Sequence, residues 1–597
     1  MASPAVTRTA RPLEGLHLAA SGPPGLTGLV VEHLTLLGAG AGARTGGPEP
    51  GDGRTALIAV SGRGFDRQDA SLSWAAHPAG GMTDEATVQA ATGIMSVHGR
   101  RDGAPRGLAV DYAATATGVL AVQGLLAGLL AQARGGVAGR VDTSADRAGL
   151  LAVSQYLAAA GADEGEAAET APGGPPFTSA DGVLFELETL DPGAWAAFWR
   201  VLEAPFEAIR AGWRPFQFRY ATACAPFPRA LHTTARRHTW QRIGAAAATA
   251  GAEVCRLRTL AERAAEHDGA APWSLAPYGS GHRPLAAPPA AARPLAGLTV
   301  LEAGRRIQAP LAAHLLRLLG ADVVRIEPPG GDPLRGMPPA CSGISARWLA
   351  LNRGKQAVEV DIKSPADRRR LREMAAGADV FLHNWAPGKA AALGLDSADL
   401  AAVNPALVYA YTGGWAGRIP GAPMGTDFMV QARTGVGEAA RPRDEPPAPS
   451  LMTLLDVLGG LMGTEAVLAG LLLRERTGAG VRVGSSLLGA ADTLTAPALR
   501  RARRGADPRR PAGFRRPLRT ADGWIAPTDT CAPAAAAYDL RELPTVEALA
   551  QLRSHGLSAT AVTTDPADLL HHDPRFTGSI SRDAHGAPAV PDPWSFV

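Results

Sequence analysis

The sequence predicts an α/β fold that is built twice within one chain, as two tandem and unequal halves. Three observations predict it. Strand-like and helix-like segments alternate after residue 298, a block of the first half recurs in the second, and a stretch rich in Pro and Ala separates the two copies. The chain has 597 residues, which is enough for several domains.

The internal repeat shows where the two copies differ in length. Near the start, the segment LLGA at 36–39 recurs at 318–321, an offset of 282 positions. Further along, the offset is 342 for five matched pairs: Gln89 and Gln431, Gly93 and Gly435, Asp102 and Asp444, Pro105 and Pro447, Gly128 and Gly470. The change in offset means that the first copy lacks 60 residues between Ala39 and Gln89, whereas the second copy is shorter at its end.

These offsets predict domain boundaries. We expect a degenerate first half at 1–280, with a truncated large domain at about 1–160 and a small domain at about 175–280. A linker follows at 281–294. The second half is expected at 295–597, with a large domain at about 295–505 and a shortened small domain at about 506–597. Because the missing segments are complementary, we expect one composite site per chain.

The second half carries the clearer secondary-structure signals. Strands are predicted at 298–304, 322–327, 357–362 and 379–384, with helices at 311–319 and 365–377. Ligands of parallel sheets bind beyond the carboxyl ends of the strands. Those ends carry the segments EAGRRIQAP, EPPGGDPLR and HNWAPG.

Composition, net charge and cysteine spacing limit the classes of protein to which this chain is expected to belong. Hydrophobic residues make up 46% and charged residues 19%, as in an ordinary globular protein, and a net charge of +3 gives no reason to expect a nucleic-acid partner. The four cysteines are far apart, which argues against a disulfide framework or a zinc site and favours the reducing cytoplasm. The N-terminal segment lacks the apolar core of a signal peptide.

The uncharged run at 113–133 has the length of a membrane span. Its glycines, two threonines and Gln123 lower its hydrophobicity, and the matching segment of the second half carries Glu465. We therefore predict a buried helix and no membrane partner.

A set of motifs in fixed order carries a family resemblance. The motifs are GLTVLEAGRRIQAPLAAHLLRLLGADVVRIEPPGGDPLR, LNRGKQAVEVDIKS, ADVFLHNWAPGKAAALGL, NPALVYAYTGGWAG, MGTDFMVQARTG and VLAGLLLRERTGAGVRV. Together they resemble the class III CoA-transferases, the CaiB/BaiF group, and the first half resembles the same family more faintly.

The resemblance implies a Rossmann-like large domain that binds coenzyme A, a small α/β domain, and dimers that form interlocked rings. A fused duplication would make that interlocked pseudo-dimer within one chain. The whole protein is then expected to be a monomer or a homodimer of fused chains that acts on an acyl-CoA and a carboxylic acid, with coenzyme A as part of the substrate and no metal.

Asp456, in LLDVLGG, matches the family's catalytic aspartate. The resemblance implies that its carboxylate attacks a thioester and later carries CoA as an aspartyl thioester. Gly459 and Gly460 are expected to admit substrate and to offer N–H groups to an oxyanion. The alternative is an Asp that caps the following helix. The matching residue of the first half is Ala114, and we interpret Asp111 as structural.

Thr426 and Asp427 occupy the place where the family's racemases carry Gly-His-Asp. A Thr hydroxyl is not a base near neutral pH, which argues against racemisation. For Asp427, two roles remain open, a contact with substrate and a hydrogen bond that anchors a loop.

Seven residues are expected near coenzyme A because they match family motifs: Arg353, Lys355, Asn384, Gly388, Gln308, Arg325 and Arg335. The cations suit phosphate groups, although any one of them could instead be a solvated surface charge. Two departures from the family pattern, Ala309 and Ala386, leave other outcomes open. These are an acyl-CoA lyase, another acyl transfer on the same fold, and a non-catalytic acyl-CoA-binding protein.

Overall fold

A computed structural model describes residues 10–41, 54–77, 81–166, 168–279, 281 and 293–597. Most of the predicted linker at 281–294 lies outside the described residues, as does most of the segment at 40–54 where the first copy is short.

The first half contains nine strands and eleven helices within the described residues. Its large domain holds strands Leu16–Ser21 (β1), Gly40–Ala41 (β2), Thr55–Gly62 (β3), Phe65–Ser73 (β4) and Arg140–Ser144 (β5), and helices Pro24–Leu36 (α1), Glu85–Ala91 (α2), Ile94–Gly99 (α3), Tyr112–Ala133 (α4), Ala145–Ala152 (α5) and Ser154–Ala160 (α6). Its small domain and final segment hold Phe177–Thr178 (β6), Leu184–Glu188 (β7), Pro192–Val201 (α7), Phe206–Thr222 (α8), Arg229–Ala235 (α9), Trp240–Ala250 (α10), Glu253–Arg256 (β8), Leu260–Glu266 (α11) and Trp273–Tyr278 (β9).

The second half begins with a larger α/β domain. Its strands are Thr299–Ala303 (β10), Asp322–Glu327 (β11), Ala340–Cys341 (β12), Ile344–Ser345 (β13), Gln356–Glu359 (β14), Val380–His383 (β15), Val408–Gly413 (β16) and Gly480–Ser486 (β17). Its helices are Gln308–Leu318 (α12), Ala346–Asn352 (α13), Pro365–Ala376 (α14), Lys389–Ala392 (α15), Ser397–Ala401 (α16), Asp427–Arg433 (α17), Val436–Ala439 (α18), Leu454–Thr477 (α19) and Leu487–Arg503 (α20).

The rest of the second half is a smaller unit and a C-terminal tail. They hold Leu518–Arg519 (β18), Trp524–Pro527 (β19), Ala532–Ala535 (α21), Thr545–Ser554 (α22), Ala559–Ala561 (β20), Asp568–His571 (α23), Ser581–Arg582 (β21), Pro588–Ala589 (β22) and Ser595–Phe596 (β23).

The main sheet of the second half has seven strands in the order β14-β11-β10-β15-β16-β17-β9. The first six are parallel, and helices connect them, which confirms the predicted parallel α/β sheet. Their carboxyl ends meet at one edge, where α12 and the loops after β15 and β16 begin.

The main sheet of the first half is mixed and differs from a second parallel copy. Its order is β2-β1-β3-β4-β5-β23, and β3 runs antiparallel to both of its neighbours. Only Arg63 and Gly64 separate β3 from β4. A connection this short makes a hairpin, whereas a parallel pair needs a crossover of a dozen residues or more. The shorter first copy therefore fills its sheet with an antiparallel strand.

Each main sheet is completed by a strand from the other half. β9, from the first half, pairs antiparallel with β17, and β23, near the C-terminus, pairs antiparallel with β5. β9 ends at Tyr278, shortly before the predicted linker at 281–294, and completes the neighbouring sheet. This reciprocal exchange interlocks the two halves.

The two exchanged strands carry the same Trp-Ser pair. Trp594 is 5% exposed, and its indole Nε1 donates to the carbonyl of Leu120 at 2.8 Å. Trp273 is 3% exposed and meets the ring of His33 edge-on at 4.8 Å. The Trp594 indole, immediately before β23, thus joins the second half to the large domain of the first, whereas Trp273 in β9 packs on His33 of its own half.

Helices α4 and α19 form the centre of the molecule. Both are long and apolar enough to cross a membrane by composition alone, but both lie almost entirely within the protein, as predicted for the run at 113–133. They pack along each other, and the hydroxyl of Tyr112 donates to the Leu454 carbonyl at 3.0 Å. Gln123 donates to the Leu461 carbonyl at 2.6 Å, so the central interface also joins the halves.

We expect Trp594→Ala and Trp273→Ala each to lower the free energy of unfolding by about 3–5 kcal/mol, because each removes a large buried side chain. The loss should appear as a shift of one transition for the whole chain, since each strand belongs to both halves. Denaturant titration followed by far-UV circular dichroism measures it.

A matched control is Val546→Ala, because Val546 is 78% exposed. It should change the free energy of unfolding by no more than about 0.5 kcal/mol. Two separate transitions in either Trp variant, with one half unaffected, would show that the halves unfold independently.

Candidate active site

A cavity of about 780 Å³ lies at the carboxyl edge of the parallel sheet. The second half lines it with loop segments at 305–308, at 384–387 and within 411–428. The first half closes it from above with the end of β7 and one side of α8. The cavity is therefore composite, because the exchange of strands places the small domain of the first half over the large domain of the second.

Asp456 lies at the floor of this cavity, as the third residue of α19. It is partly buried, and within the described residues no hydrogen-bond donor contacts its carboxylate. Asp427 accepts the backbone N–H groups of Leu455 and Asp456, both at 2.7 Å. Asp427 thus satisfies the first turn of the helix, and the carboxylate of Asp456 is left to face the cavity.

Asp427 makes its hydrogen bonds inside the protein. Besides the two backbone N–H groups, it accepts a hydrogen bond from the side-chain amide of Gln431. Gln431 in turn holds the segment before α19 by accepting from the Ser450 N–H at 2.8 Å and donating to the Ser450 carbonyl at 2.9 Å. These contacts support the anchoring role for Asp427 over a contact with substrate.

Burial raises the pKa of both carboxyl groups, and the charge of Asp427 adds to the rise at Asp456. Burial, and then the neighbouring charge of Asp427, raise the pKa of Asp456 to about 8, while the guanidinium of Arg306 acts to lower it. Burial raises the pKa of Asp427 to about 6 against the hydrogen bonds from Gln431 and the helix. Because they interact, the two groups titrate as a pair.

Thr426 connects the two halves at the cavity wall. Its Oγ1 donates to a carboxylate oxygen of Glu188, at the end of β7, at 2.8 Å. Glu188 also pairs with the buried Arg219 at 3.0 Å. The hydroxyl of Thr426 therefore joins the small domain of the first half to the large domain of the second.

Gly459 and Gly460 lie inside α19, where each backbone N–H bonds to the carbonyl four residues earlier. The predicted oxyanion role is therefore wrong, because those N–H groups are already used. A Cβ on Gly459 would lie 2.9 Å from Nε2 of Gln308, and one on Gly460 would lie 2.9 Å from the Gln308 carbonyl oxygen. The glycines instead allow α12 to cross α19 closely.

Comparison with known proteins identifies the family. The sequence model of CoA-transferase family III matches residues 52–292 and again 295–562. This chain belongs to CoA-transferase family III. The two matches correspond to the two halves, and together they confirm the resemblance and the duplication that the motifs indicated.

Individual relatives cover a smaller part of the chain. Succinyl-CoA:glutarate CoA-transferase of Mus musculus is 35% identical over 199 residues, which is 33% of this chain and 46% of the relative. Acetyl-CoA:oxalate CoA-transferase of Acetobacter aceti is 34% identical over 197 residues, 32% of this chain and 51% of the relative. The chain thus spans about half the length of the curated relatives that it matches. A CAIB/BAIF family protein from Brucella suis superposes with a TM-score of 0.45 at 26% identity, over 50% of this chain and 91% of that structure.

Two cations that the family III motifs placed near phosphate groups are held inside the protein. The ammonium of Lys355 donates to Glu302 and to the Pro310 carbonyl, each at 2.7 Å, and to Asn352 at 2.9 Å. Those bonds use all three of its N–H groups. Arg325 is buried and pairs with three carboxylates, those of Glu302, Glu327 and Asp332. The predicted phosphate role of Lys355 and Arg325 is wrong, because their charges are already neutralised.

The other two predicted cations lie outside the cavity lining. Arg335 pairs with Glu327 at 2.8 Å and stacks over the ring of Trp348, with its guanidinium 3.8 Å from the ring centre. Arg353 ends α13 and is partly buried, and burial lowers its pKa. The structure does not bring these two residues together with Asp456.

Three further predicted residues follow strand ends. Asn384 lines the cavity and clasps the backbone of Arg305, by accepting its N–H at 2.8 Å and donating to its carbonyl at 2.9 Å. Gln308 begins α12, lines the cavity and donates to the Gly413 carbonyl at 3.4 Å. Gly388 precedes α15 with a φ of 76° and lies outside the lining, beside Pro387, which is part of it.

Several cavity residues escaped the sequence reasoning. Arg305 and Arg306 follow β10 after Gly304, within the strand-end segment EAGRRIQAP. Trp213, Phe216 and Tyr220 come from α8 of the first half, where the segment GWRPFQFRY resembles a family small domain without indicating a place in the site. The strand-end position could have identified the two arginines, whereas the aromatic residues required knowledge of how the halves dock.

The corresponding place in the first half keeps the hydrogen-bonded scaffold but has no residue equivalent to Asp456. Glu85 occupies the position of Asp427 and accepts the N–H groups of Ala113 and Ala114, both at 2.8 Å. Gln89 donates to Glu85 at 2.8 Å, as Gln431 does to Asp427. Ala114 has no carboxylate to offer, so this helix end is structural.

Arg515 fills the space in front of that helix end. It is buried and pairs with Asp111 and with Asp529, each at 2.6 Å. It also donates to the carbonyls of Leu108 and Val110. Asp111 is thus a partner in an ion-pair cluster, in agreement with its structural interpretation, and the second site is closed by the cluster.

We expect Glu85→Gln and Asp427→Asn to lower the free energy of unfolding by similar amounts, about 1–3 kcal/mol each. Each change replaces an acceptor oxygen by an NH₂ group and leaves a buried helix N–H without its partner. Chemical denaturation measures both variants. Glu207→Gln is the matched control, because that carboxylate is 73% exposed and pairs only with Arg210 among the described residues. If Glu85→Gln were as stable as the unchanged protein, the carboxylate would not be holding the helix.

Proposed function

We propose that this protein transfers coenzyme A between carboxylic acids through a covalent intermediate on Asp456. One observation carries the proposal. In a chain of CoA-transferase family III, Asp456 faces a large cavity at the strand ends and has no hydrogen-bond donor on its carboxylate among the described residues. The activities of two relatives, a succinyl-CoA:glutarate and an acetyl-CoA:oxalate CoA-transferase, support the reaction class.

The first half-reaction moves CoA onto the protein. A carboxylate oxygen of Asp456 attacks the carbonyl carbon of the acyl-CoA, the carbon–sulfur bond breaks, and CoA thiolate leaves a mixed anhydride. The thiolate then attacks the carbonyl carbon of Asp456, and the acyl group leaves as a carboxylate. The product is an aspartyl-CoA thioester, and no net proton is consumed.

The second half-reaction is the reverse with a different acid. The acceptor carboxylate attacks the aspartyl thioester and releases the thiolate, which then attacks the acceptor's carbonyl carbon in the new anhydride. The Asp456 carboxylate is regenerated. The covalent route divides one direct transfer of CoA between two acids into two exchanges of similar energy, each of which takes place at Asp456.

The composite cavity supports one such site in each chain. The second half supplies Asp456 and the strand-end loops, while the first half supplies Glu188 and the aromatic side of α8. In the first half, Ala114 and the Arg515 cluster occupy the matching place. Binding of coenzyme A with a stoichiometry near one would agree with this arrangement.

Replacing Asp456 by Asn should reduce acyl exchange by several powers of ten, each worth about 1.4 kcal/mol of barrier, while the protein stays folded. The amide keeps the shape of the carboxylate and removes the nucleophile. The measurement is transfer of CoA from a panel of acyl-CoA donors to succinate, glutarate, oxalate and malate. Asp111→Asn is the matched control and should retain exchange.

Trapping provides the direct test of the intermediate. After incubation with a donor, hydroxylamine should convert the Asp456 adduct to a hydroxamate, which mass spectrometry of the peptide detects. Tight binding of acyl-CoA with neither exchange nor adduct would favour a non-catalytic binding protein. Cleavage of the acyl group without transfer would favour a lyase.

We expect kcat/KM for the acyl-CoA donor to rise with pH through about 8, the raised pKa of Asp456. The value of kcat/KM rises with pH because the protonated acid cannot attack the thioester, and the fraction of Asp456 in the carboxylate form grows above that pH. Asp427→Asn removes the neighbouring charge that raises this pKa, so its profile should move to lower pH. A flat profile on both sides of about pH 8 would contradict an ionisation of Asp456 in the free protein.

A further inference from the structure

Arg306 has a backbone that does not suit an arginine. It lies between β10 and α12 with a φ of 63°, in the left-handed region. Side chains other than Gly, Asn and Asp are disfavoured there, and strained residues of this kind concentrate at functional sites. Gly or Asn would adopt this backbone conformation with less strain. The presence of an arginine here is therefore explained by the contacts of its guanidinium group.

The side chain of Arg306 is exposed to the cavity. Its guanidinium carbon lies 5.7 Å from the ring centre of Tyr220, on α8 of the first half. It is close enough to Asp456 to act on the pKa of that carboxyl. Across the described ranges, no carboxylate forms an ion pair with it, whereas Arg219 in the same cavity is paired with Glu188 at 3.0 Å.

Besides Arg306, the cavity lining carries two further arginines, Arg219 and Arg305, and four carboxyl side chains. The carboxyl groups are those of Asp427, Asp456, Glu188 and Glu253. An acceptor acid arrives as an anion and is repelled by these groups unless a cation holds it. A guanidinium binds a carboxylate with two parallel hydrogen bonds, and this one has its donors free within the described part of the cavity wall.

We propose that Arg306 binds the reacting carboxylate of the acceptor acid and holds it beside Asp456. The inference rests on the proposed transfer reaction. With the acceptor in place, one of its oxygens attacks the carbonyl carbon of the aspartyl-CoA thioester, and the carbon–sulfur bond breaks. By reversibility, the same guanidinium receives the carboxylate that leaves the donor acyl group. Tyr220, over which the guanidinium lies, restricts its position from the side of the first half.

The test compares Arg306→Asn, Arg306→Lys and Arg305→Asn. Asn removes the charge and tolerates the left-handed backbone, and Lys keeps the charge without the two-pronged geometry. Arg305→Asn makes the same change one residue earlier in the same cavity wall. For Arg306→Asn we expect KM for the acceptor acid to rise about 10- to 100-fold, the effect of losing a charge-assisted hydrogen-bonded contact. Arg306→Lys should recover part of this loss, and Arg305→Asn should raise the acceptor KM clearly less than Arg306→Asn does.

Two further measurements separate binding from folding and from the transfer reaction itself. The melting temperature of Arg306→Asn should equal or exceed that of the unchanged protein, because the strain is relieved. A hydroxylamine-trapped adduct on Asp456 should still form in this variant after incubation with a donor.

Several results would overturn the inference. A rise in KM for the acyl-CoA donor, with the acceptor KM unaffected, would make Arg306 a phosphate contact. An equal effect of Arg305→Asn would make the charge non-specific, and a lowered melting temperature with unchanged kinetics would make Arg306 structural. Absence of any adduct in the unchanged protein would refute the transfer reaction, and this inference with it.

Discussion

The exchange of one strand between the two main sheets is the constraint on which the rest of the structure depends. β9 leaves the first half to become the edge of the second sheet, and β23 leaves the second half to become the edge of the first. Each strand follows a small domain, so the exchange carries that small domain across the molecule. Neither sheet is complete without the other half, and the cavity exists only where the transferred small domain meets the carboxyl ends of the parallel strands.

The same arrangement of hydrogen bonds holds the first turn of α4 and of α19, although the two helix ends differ in what they present. In each half an acidic side chain accepts two N–H groups from the first turn of a long central helix, and a glutamine holds that acid in place. In the second half this leaves Asp456 free to face the cavity. In the first half Ala114 stands there, and the Arg515 cluster fills the space in front of it. The duplicated scaffold has thus kept the supporting hydrogen bonds in both halves and the cavity-facing carboxylate in one.

The distribution of charge explains why several expectations about coenzyme A did not hold. The motif cations Lys355 and Arg325 lie behind the sheet edge, where Glu302 contacts both of them. Buried charges of this kind are stable only when paired, so these residues belong to the core of the domain. The cavity wall instead carries Arg306, which forms no ion pair among the described residues and lines the same cavity as the carboxyl groups around Asp456. Residue type alone does not distinguish a buried ion pair from a binding group, since both are arginines or lysines near strand ends.

The sequence by itself determined the family, the duplication, the parallel sheet of the second half and the identity of Asp456 as the candidate nucleophile. These follow from motifs, offsets and periodicity, which are local properties of the chain. Tertiary structure decided the rest: the antiparallel β3, the helical position of Gly459 and Gly460, the pairing of Lys355, and the joining of Arg306 to Tyr220 from the other half. The physical reason is that pairing, burial and docking depend on residues hundreds of positions apart, whose contacts arise only when both sheets have exchanged their strands.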